Sequence, residues 1–293
     1  GPLPIMLNYY GAHTGRFSGG DKVNLQNLPR GGNLRKALAA PDGKVVVACD
    51  SSQIEARLVA YLAGQDDLVQ SFREGRDVYS EFATDVYQRP VTKADKVERH
   101  VGKTCILGLG YGMGAAKFQH SLATGFISVK VDEHEAQKIV RLYRNKYHRI
   151  QAFWNRCNHA LSGLVAGESG DMCDLIGYDS EGIILPNGLR IRYPALRRSA
   201  HGFEYINDAR VYRKFIRARV IGEEVPELTW IKIYGGKVVE NITQAVARIV
   251  VAEQMAKIGR RYPVALQVHD EVVCVVPEDE AKACKDYMVK VMS

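Results

Sequence analysis

The sequence lacks several features that would assign it to a special class. It has no apolar run of transmembrane length and no signal-peptide pattern at its start, which argues against a membrane or secreted protein. It has no internal repeat and no low-complexity tract, which argues against a repeat architecture. Its six cysteines are scattered and form no CxxC pair, so we expect reduced thiols in a cytoplasmic protein.

The composition is that of an ordinary globular protein, with 46% hydrophobic and 25% charged residues. A length of 293 residues allows one large domain or two medium ones. The net charge of +7 fits a polyanionic partner. Arginine and lysine alternate with aromatic residues in three segments, 141–149, 189–198 and 210–219. Such segments could contact phosphates and stack on bases, or they could be solvated faces of helices or strands.

Hydrophobic periodicity indicates a mixed α+β chain. Helical spacing is predicted at 53–64, at 66–88, in two helices within 132–161 with Asp132 as an N-cap, and at 237–259. Short apolar runs predict a buried strand at 44–50 and a hairpin at 265–277, while 175–235 is predicted to be strands and loops. We therefore expect a small antiparallel sheet with a mostly helical insertion between its first and later strands.

Two aspartates stand at the ends of the predicted buried strands. Asp50 ends the first strand, and Asp270 lies at the bend of the hairpin. If these strands are neighbours, the two carboxylates meet at one edge of the sheet, where their repulsion favours bound cations. A pair of divalent cations could hold the oxygens of a phosphoryl transfer. The alternative is that each aspartate is only a cap or turn residue.

A second pattern lies in residues 99–112 (RHVGKTCILGLGYG). Arg99, Lys103, Leu107 and Tyr111 recur every four residues and are predicted to share one helical face. Two cations, an apolar residue and a ring in this order match a nucleoside triphosphate laid along the helix. An amphipathic helix with two basic residues is the alternative.

Five segments, in this order along the chain, resemble motifs of the family A DNA polymerases, the group of bacterial DNA polymerase I. The resemblance is closest to the shorter phage and prophage branch. The segments are 14–29 (TGRFSGGDKVNLQNLP), 50–64 (DSSQIEARLVAYLAG), 99–112, 234–248 (YGGKVVENITQAVAR) and 267–271 (QVHDE). One such motif would be a weak signal, whereas five in family order are specific.

The resemblance implies the right-hand polymerase fold. Its small antiparallel palm sheet would occupy 4–98, with the first metal motif, and 176–293, with the second. A large, mostly helical fingers insertion would occupy 99–175. Too little sequence precedes Thr14 for a thumb, so we expect the thumb to be largely absent, and we expect no 3′→5′ exonuclease domain.

The resemblance also implies an activity and its partners. The expected enzyme is a template-directed DNA polymerase that transfers dNMP from a dNTP to a primer 3′-OH in phage replication. Its cofactor would be two Mg²⁺ ions, for which Mn²⁺ could substitute. Expected partners are primer–template DNA, dNTPs, and a phage replisome or processivity factor, with no membrane. A phage protein of this kind would work in the cytoplasm of the bacterial host.

The implied residue roles follow the motifs. The catalytic residues would be Asp50, Asp270, Arg99 and Lys103, with Asp50, Asp270 and the backbone carbonyl of Ser51 as metal ligands. The nucleotide-binding residues would be Gln53, Glu55, Tyr79, Arg99, Lys103, Leu107 and Tyr111. The DNA-binding residues would be Arg16, Asn24, Gln26, Gln244, His269 and Glu271. Among these, Glu55 would exclude a 2′-hydroxyl, and Lys103 could also protonate the departing pyrophosphate.

The sequence departs from the family pattern at two of these positions. Leu107 stands where the family usually has Phe or Tyr, and Tyr79 stands where many members have histidine in a G-R-D-x-H pattern. Two other functions stay open. A phage-type single-subunit RNA polymerase is disfavoured by Glu55 and Glu271. A non-catalytic nucleic-acid-binding core is disfavoured by the intact predicted catalytic residues.

Overall fold

The structure is a computed structural model that describes residues 5–20, 24–28, 33, 38–125 and 127–293. Positions 21–23 and 29 of the first motif lie outside the described residues. The chain divides into two compact units. The first unit comprises Gly1–Glu55 and Gln244–Ser293, and the second comprises Ala56–Thr243.

The described elements give an α+β protein with small antiparallel sheets. The helices are α1 (Ile54–Ala63), α2 (Asp66–Arg73), α3 (Val78–Tyr87), α4 (Lys96–Gly108), α5 (Ala115–Thr124), α6 (Glu133–Lys146), α7 (His148–Ala166), α8 (Ala209–Ile221), α9 (Gly235–Gly259) and α10 (Ala281–Met292). The strands are β1 (Leu7–Asn8), β2 (Ser18–Gly19), β3 (Lys44–Asp50), β4 (Gly170–Cys173), β5 (Ile176–Asp179), β6 (Gly182–Ile184), β7 (Arg190–Ile191), β8 (Arg197–Ser199), β9 (Gly202–Ile206), β10 (Trp230–Ile233), β11 (Val264–Val268) and β12 (Glu271–Pro277). Within the described ranges, no helix combines the length and the apolar character needed to cross a membrane.

The first unit is built on a three-stranded antiparallel sheet in the order β11-β12-β3. Alternate residues of β12, namely Val272, Cys274 and Val276, are fully buried, as expected for a strand with one covered face. Helix α10 packs against β3 and β12, and its Cys284 and Met288 are fully buried as well. The predicted strand at 44–50 and the predicted hairpin are therefore confirmed as strands. The predicted burial of the first strand is wrong, because only Val47 of β3 is buried, whereas Lys44, Val46, Ala48 and Asp50 are exposed.

The second unit is mostly helical around an aromatic cluster. The ring of Phe82 lies 5.6 Å from that of Tyr143, which lies 5.0 Å from that of Tyr147, both in edge-on geometry. Asp132 accepts a hydrogen bond from the backbone N–H of Glu135 and caps α6, which confirms the predicted N-cap. The predicted pair of helices over 132–161 corresponds to α6 and α7.

Helices α3 and α4 come unusually close to one another at Gly102. A Cβ atom on Gly102 would lie 2.1 Å from the backbone oxygen of Tyr79 and 3.1 Å from Cβ of Ala83. Any larger residue would force the two helices apart, so glycine is required here by the packing.

The remaining part of the second unit differs from the sequence prediction. Strands β4 to β7 form one small sheet and β8 to β10 another, as expected for 175–235. However, Ala209–Ile221 is helix α8, where strands and loops were predicted. Asp208 caps this helix by accepting hydrogen bonds from the N–H groups of Arg210 and Val211. That cap and the helix-favouring arginines stabilise a helix here.

Candidate active site

Three carboxylates lie at one edge of the sheet in the first unit. Strand β12 pairs with β3 so that Glu271 stands opposite Asp50. The backbone N–H of Ser51, just beyond β3, donates to the carbonyl of Asp270 at 3.0 Å. The prediction that the two strands are neighbours is therefore confirmed, and it brings Asp50, Asp270 and Glu271 to the same edge.

The backbone around this edge is held in unusual conformations. His269, in the two-residue turn between β11 and β12, has a φ of 55°, and Gln53, between β3 and α1, has a φ of 58°. Left-handed backbone is uncommon for residues other than glycine, and it costs free energy that the surrounding contacts must offset. One such contact is the hydrogen bond from the Gln267 side chain to the carbonyl of His269. The turn that presents Asp270 is therefore fixed in shape.

The edge of the sheet that carries the three carboxylates is negatively charged. Asp50 is exposed, whereas Asp270 and Glu271 are half-buried. Burial, together with the charges of Asp50 and Glu271, raises the pKa of the Cys49 thiol. Within the part of the chain that the structure describes, no group of three or more His, Cys, Asp or Glu side chains is arranged to hold a metal ion. The edge offers carboxylate and carbonyl oxygens, which are the donors that hard divalent cations prefer.

Ser51 is anchored by a residue that the sequence analysis missed. Its side chain is buried, and its hydroxyl donates to the Gln254 side-chain carbonyl on α9 at 2.9 Å. Its backbone carbonyl accepts from the N–H of Ile54 at 3.2 Å. Because Gln254 lies 203 positions from Ser51, no local pattern pointed to it.

Two residues that were predicted to have separate roles form an ion pair. The guanidinium of Arg16 donates to the carboxylate of Glu55, and both side chains are about one-quarter exposed, at 26% and 29%. Arg16 closes a tight turn in which its carbonyl accepts from the N–H of Ala12 at 3.0 Å. Gly15 has a φ of 77° in this turn, and a Cβ there would lie 2.6 Å from the ring of Tyr10. The turn thus directs Arg16 to the first turn of α1.

The same N-terminal segment encloses a buried arginine of α9. Arg248 is only 8% exposed. Its guanidinium carbon lies 4.9 Å from the ring centre of Tyr9, 5.9 Å from that of Tyr10 and 5.3 Å from that of Phe17. Its Nε has no hydrogen-bond partner among the described residues. Arg248 was not among the predicted site residues, although it lies one helical turn after Gln244 and therefore on the same face of α9.

Three of the predicted DNA-binding residues make contacts within the first unit. Asn24 accepts from the backbone N–H of Gln26 at 3.0 Å. Gln26 is buried, and its side chain donates to the carbonyl of Gln267 at 3.2 Å. The hydroxyl of Thr14 lies 3.5 Å from the side-chain oxygen of Gln244. These bonds fix the segment before β3 against β11 and α9.

In the second unit, α4 presents its predicted face to the outside. Lys103 and Leu107 are exposed and Arg99 is half-buried, whereas Val101 and Cys105 on the opposite face are fully buried. The structure therefore confirms that the first three residues of the four-residue pattern share an accessible face.

Arg99 is held by two neighbours. Its Nε and one terminal nitrogen donate to the two carboxylate oxygens of Asp77 at 2.7 and 3.1 Å, and its guanidinium lies 5.2 Å from the ring centre of Tyr79. Burial alone would raise the pKa of Asp77, but hydrogen bonds from Arg99 and Ser80 outweigh it and lower the pKa below its usual value. This bidentate pair fixes the direction of the arginine.

Tyr111 does not lie on α4, which is a correction to the prediction. The α-helix ends at Gly108, and Leu109–Tyr111 form a 3₁₀ turn. Gly112 follows with a φ of 78°, a conformation that glycine adopts without strain and that ends the turn. The carbonyl of Tyr111 also packs closely on Gly236, where a Cβ would lie 2.4 Å away.

The sequence is similar to a known family and to several known proteins. A family model described as DNA polymerase family A matches residues 5–163. Thermostable DNA polymerase I of Thermus aquaticus is 34% identical over 157 residues, which cover 52% of this chain and 18% of that protein. DNA polymerase I of Pseudomonas aeruginosa is 30% identical over 272 residues, or 92% and 25% of the two chains. The DNA polymerase of Bacillus phage SP02 is 27% identical over 315 residues, or 93% and 46%.

A solved structure shares the fold. The polymerase domain of Pol1 from M. smegmatis, in complex with DNA primer–template and dNTP, matches with a TM-score of 0.60 at 20% identity. The match covers 98% of this chain and 44% of the other. At this identity the likeness concerns the fold alone. The chain also spans less than half the length of each of the curated relatives named above. Because the family match extends over residues 5–163 of the 293, more than half of the sequence, the chain belongs to DNA polymerase family A.

Proposed function

We propose that this chain catalyses template-directed DNA synthesis, in which a primer 3′-oxygen attacks the α-phosphate of a dNTP. Family membership supports this function. The single observation that carries the proposal is that Asp50 and Asp270, 220 positions apart in the sequence, lie at the same edge of one sheet. Asp50 ends β3, and Asp270 lies in the turn before β12. A cap or turn role for each aspartate would not require the two to lie at the same edge.

The carboxylate edge is proposed to hold two Mg²⁺ ions, with Mn²⁺ able to substitute. Asp50, Asp270 and the carbonyl of Ser51 supply oxygen donors of the type that these ions prefer. When bound, the ions would neutralise charge on the attacking oxygen and on the phosphates. The chain's own contribution is to fix the donors, through the Ser51–Gln254 hydrogen bond and the rigid turn at His269.

The exposed face of α4 is proposed to bind the phosphates of the nucleotide. Lys103 presents a mobile ammonium group that can follow the phosphates and donate a proton to the leaving pyrophosphate. Arg99 is oriented by Asp77 and Tyr79, so it would offer its remaining nitrogens in a fixed direction. Leu107, Tyr111 and Gln53 are proposed to line the sugar and base.

Glu55 is proposed to select deoxynucleotides by blocking a 2′-hydroxyl. Its carboxylate is tied to Arg16, so the barrier is held in place rather than free to swing away. This supports DNA over RNA synthesis, and the RNA polymerase alternative has no comparable support in the described residues.

The proposed partners are primer–template DNA and dNTPs. The structurally similar Pol1 domain was solved with both, and the basic charge of this chain is compatible with them. Residues proposed to contact the duplex are Arg16, Asn24, Gln26, Gln244, His269 and Glu271. The palm would comprise 4–98 and 176–293, and the fingers would comprise 99–175. The proposal also includes a role in phage replication together with a processivity factor.

A primer-extension assay tests the function. The 293-residue chain should extend a labelled primer in Mg²⁺ and should fail after chelation with EDTA. Asp50→Asn and Asp270→Asn should each abolish extension, because either change removes a charged oxygen donor while preserving shape. Asp279→Asn, which changes an exposed aspartate in the same unit, is the matched control and should extend normally.

Three outcomes would contradict the proposal in different ways. Primer extension by Asp50→Asn or by Asp270→Asn would show that the changed residue is not a metal ligand. DNA binding without extension by the unaltered chain would favour a non-catalytic core. Equal rates with dATP and ATP, unchanged by Glu55→Ala, would remove Glu55 from sugar selection and would revive the RNA polymerase alternative.

A further inference from the structure

The positive charge of this protein is concentrated in one stretch. Residues 189–221 contain nine Arg or Lys and two acidic residues, which gives +7, the net charge of the whole chain. Four of these cations are paired with carboxylates, because Arg190 pairs with Asp179, Arg192 with Glu181, Arg197 with Glu204 and Arg210 with Asp208. Five of the nine lie in α8, which contains no acidic residue.

Four of the α8 cations form one stripe, which we call the α8 stripe. Arg210, Arg213, Lys214 and Arg217 are spaced i, i+3, i+4 and i+7, so they project from the same side of the helix. All four are exposed. The nearby Asp208, which caps the helix, lies 3.8 Å from the guanidinium of Arg210. The stripe therefore presents a continuous cationic surface about 10 Å long.

The stripe makes α8 unfavourable as an isolated helix. Like charges three and four residues apart repel one another along it. Arg210 places a cation in its first turn, which the helix dipole disfavours, and the Asp208 cap offsets only part of that cost. Among its described side chains only Ala218 is buried, and thirteen-residue helices with little packing are marginal in water. A polyanion along the stripe would relieve each of these penalties.

We propose that the α8 stripe binds the phosphate backbone of the DNA substrate. This inference rests on the proposed function, which supplies the polyanion. Phosphates of one strand in duplex DNA recur about every 3.4 Å along the axis, so a stripe of about 10 Å can follow three of them. The stripe is a binding surface and has no part in the chemistry.

The apolar side of α8 favours DNA over a membrane. Val211, Tyr212 and Phe215 are half-buried and Ala218 is buried, so these side chains are turned toward the protein. A helix that lies in a bilayer interface needs its apolar face free to enter the lipid. The outward surface of α8 carries the cationic stripe, which suits a hydrated polyanion, together with the exposed side chains of Ile216, Val220 and Ile221.

A salt titration of DNA affinity tests the proposal. Affinity for a fluorescent primer–template duplex is measured by anisotropy between about 50 and 200 mM salt for the full chain and for the triple variant Arg210→Gln, Lys214→Gln, Arg217→Gln. Each lost phosphate contact lowers the slope of log K against log salt by about 0.9. The triple variant should therefore lose about 2.7 from the slope, so that its affinity falls about 40-fold less across this range.

A matched control removes the same charge elsewhere. Lys282, Lys285 and Lys290 are exposed on α10, and changing all three to Gln should leave the slope as in the unaltered chain. Circular dichroism confirms that both variants are folded. Equal slopes for the unaltered chain and the α8 variant would overturn the proposal, and so would equal losses in the two triple variants.

Two further measurements distinguish a failure of the α8 proposal from a failure of the proposed function. The α8 variant should still extend a primer at saturating DNA, because none of its changed residues is assigned to catalysis. If the unaltered chain binds DNA but does not extend a primer, the proposed function fails, and the salt slopes still decide the role of α8. Binding to anionic phospholipid vesicles that only the α8 variant loses, with unchanged DNA slopes, would overturn the proposal in favour of a membrane.

Discussion

The contact between α3 and α4 at Gly102 makes a sharp prediction about stability and activity. In Gly102→Ala, the new Cβ would lie 2.1 Å from the backbone oxygen of Tyr79, more than 1 Å inside the normal contact distance. Because that oxygen belongs to the helix backbone, it cannot rotate out of the way. One helix must therefore move relative to the other.

The size of the effect follows from two opposed terms. Alanine in a helix interior is favoured over glycine by about 1 kcal/mol. Overpacking costs about 1–3 kcal/mol, and more where backbone opposes the added atom. We therefore expect Gly102→Ala to lower the free energy of unfolding by about 2 kcal/mol. For a unit the size of Ala56–Thr243 this corresponds to a fall in Tm of about 4–8 °C.

The same displacement should impair nucleotide binding. Gly102 directly precedes Lys103 and lies three residues after Arg99 on α4. A shift of about 1 Å in this helix misplaces both proposed phosphate ligands, so KM for dNTP should rise about tenfold or more. Thermal denaturation followed by circular dichroism measures the first effect, and steady-state primer extension measures the second.

Gly114→Ala is the matched control for this substitution. No atom lies within 4 Å of a Cβ built at Gly114, and its φ of −83° is allowed for any residue. Its Tm and KM should stay close to those of the unaltered chain. A Gly102→Ala protein that unfolds and binds dNTP like the Gly114→Ala protein would refute the close packing of α3 and α4.

Two other predictions concern charged groups. Arg248→Met should lower the free energy of unfolding, measured by urea denaturation, by about 2 kcal/mol, because methionine fills the aromatic cage without the cation–π attraction. It should also weaken the rejection of ATP, because the cage anchors the turn that presents Arg16. Unchanged selectivity between dATP and ATP would disprove that link. Hydrogen bonds from Arg190 lower the pKa of Asp179 to about 2, so the stabilisation is present above an unfolded pKa of about 4 and is lost as the pH falls toward 2. The Tm difference between the unaltered chain and Asp179→Asn should therefore shrink as the pH falls from about 4 to 2 and vanish below pH 2, and a difference that is as large at pH 2 as at pH 7 would contradict the pairing.

Sequence patterns predicted the elements that have a clear local pattern of apolar residues. The run that forms β3 is apolar from Val45 to Cys49 and ends at Asp50, although only Val47 of this strand is buried. The hairpin has two apolar runs around three polar residues. Helix α9 was predicted from its continuous helical spacing between 237 and 259. In the structure it begins two residues earlier and spans Gly235–Gly259. In these elements propensity and pattern agree, so the sequence was sufficient to predict their type and position.

Other features depend on contacts between residues far apart in the sequence. Gln254 reaches Ser51 over 203 positions, and the cage around Arg248 is formed by residues 9–17. Neither contact leaves a periodic signature in the chain. Helix α8 was missed for a different reason. Its cations were recognised in the sequence, but they were interpreted as a binding patch and not as one stripe of a capped helix.

Strand register explains why the carboxylate edge is well determined once the strands are known. Successive side chains alternate between the two faces of a sheet, so a slip of one residue between β3 and β12 would turn the buried row at Val272, Cys274 and Val276 to the opposite face. Burial of that row therefore fixes Glu271 opposite Asp50. The two-residue turn then leaves Asp270 no other place than beside Ser51. The apolar residues of β12 thus decide where the proposed catalytic carboxylates lie.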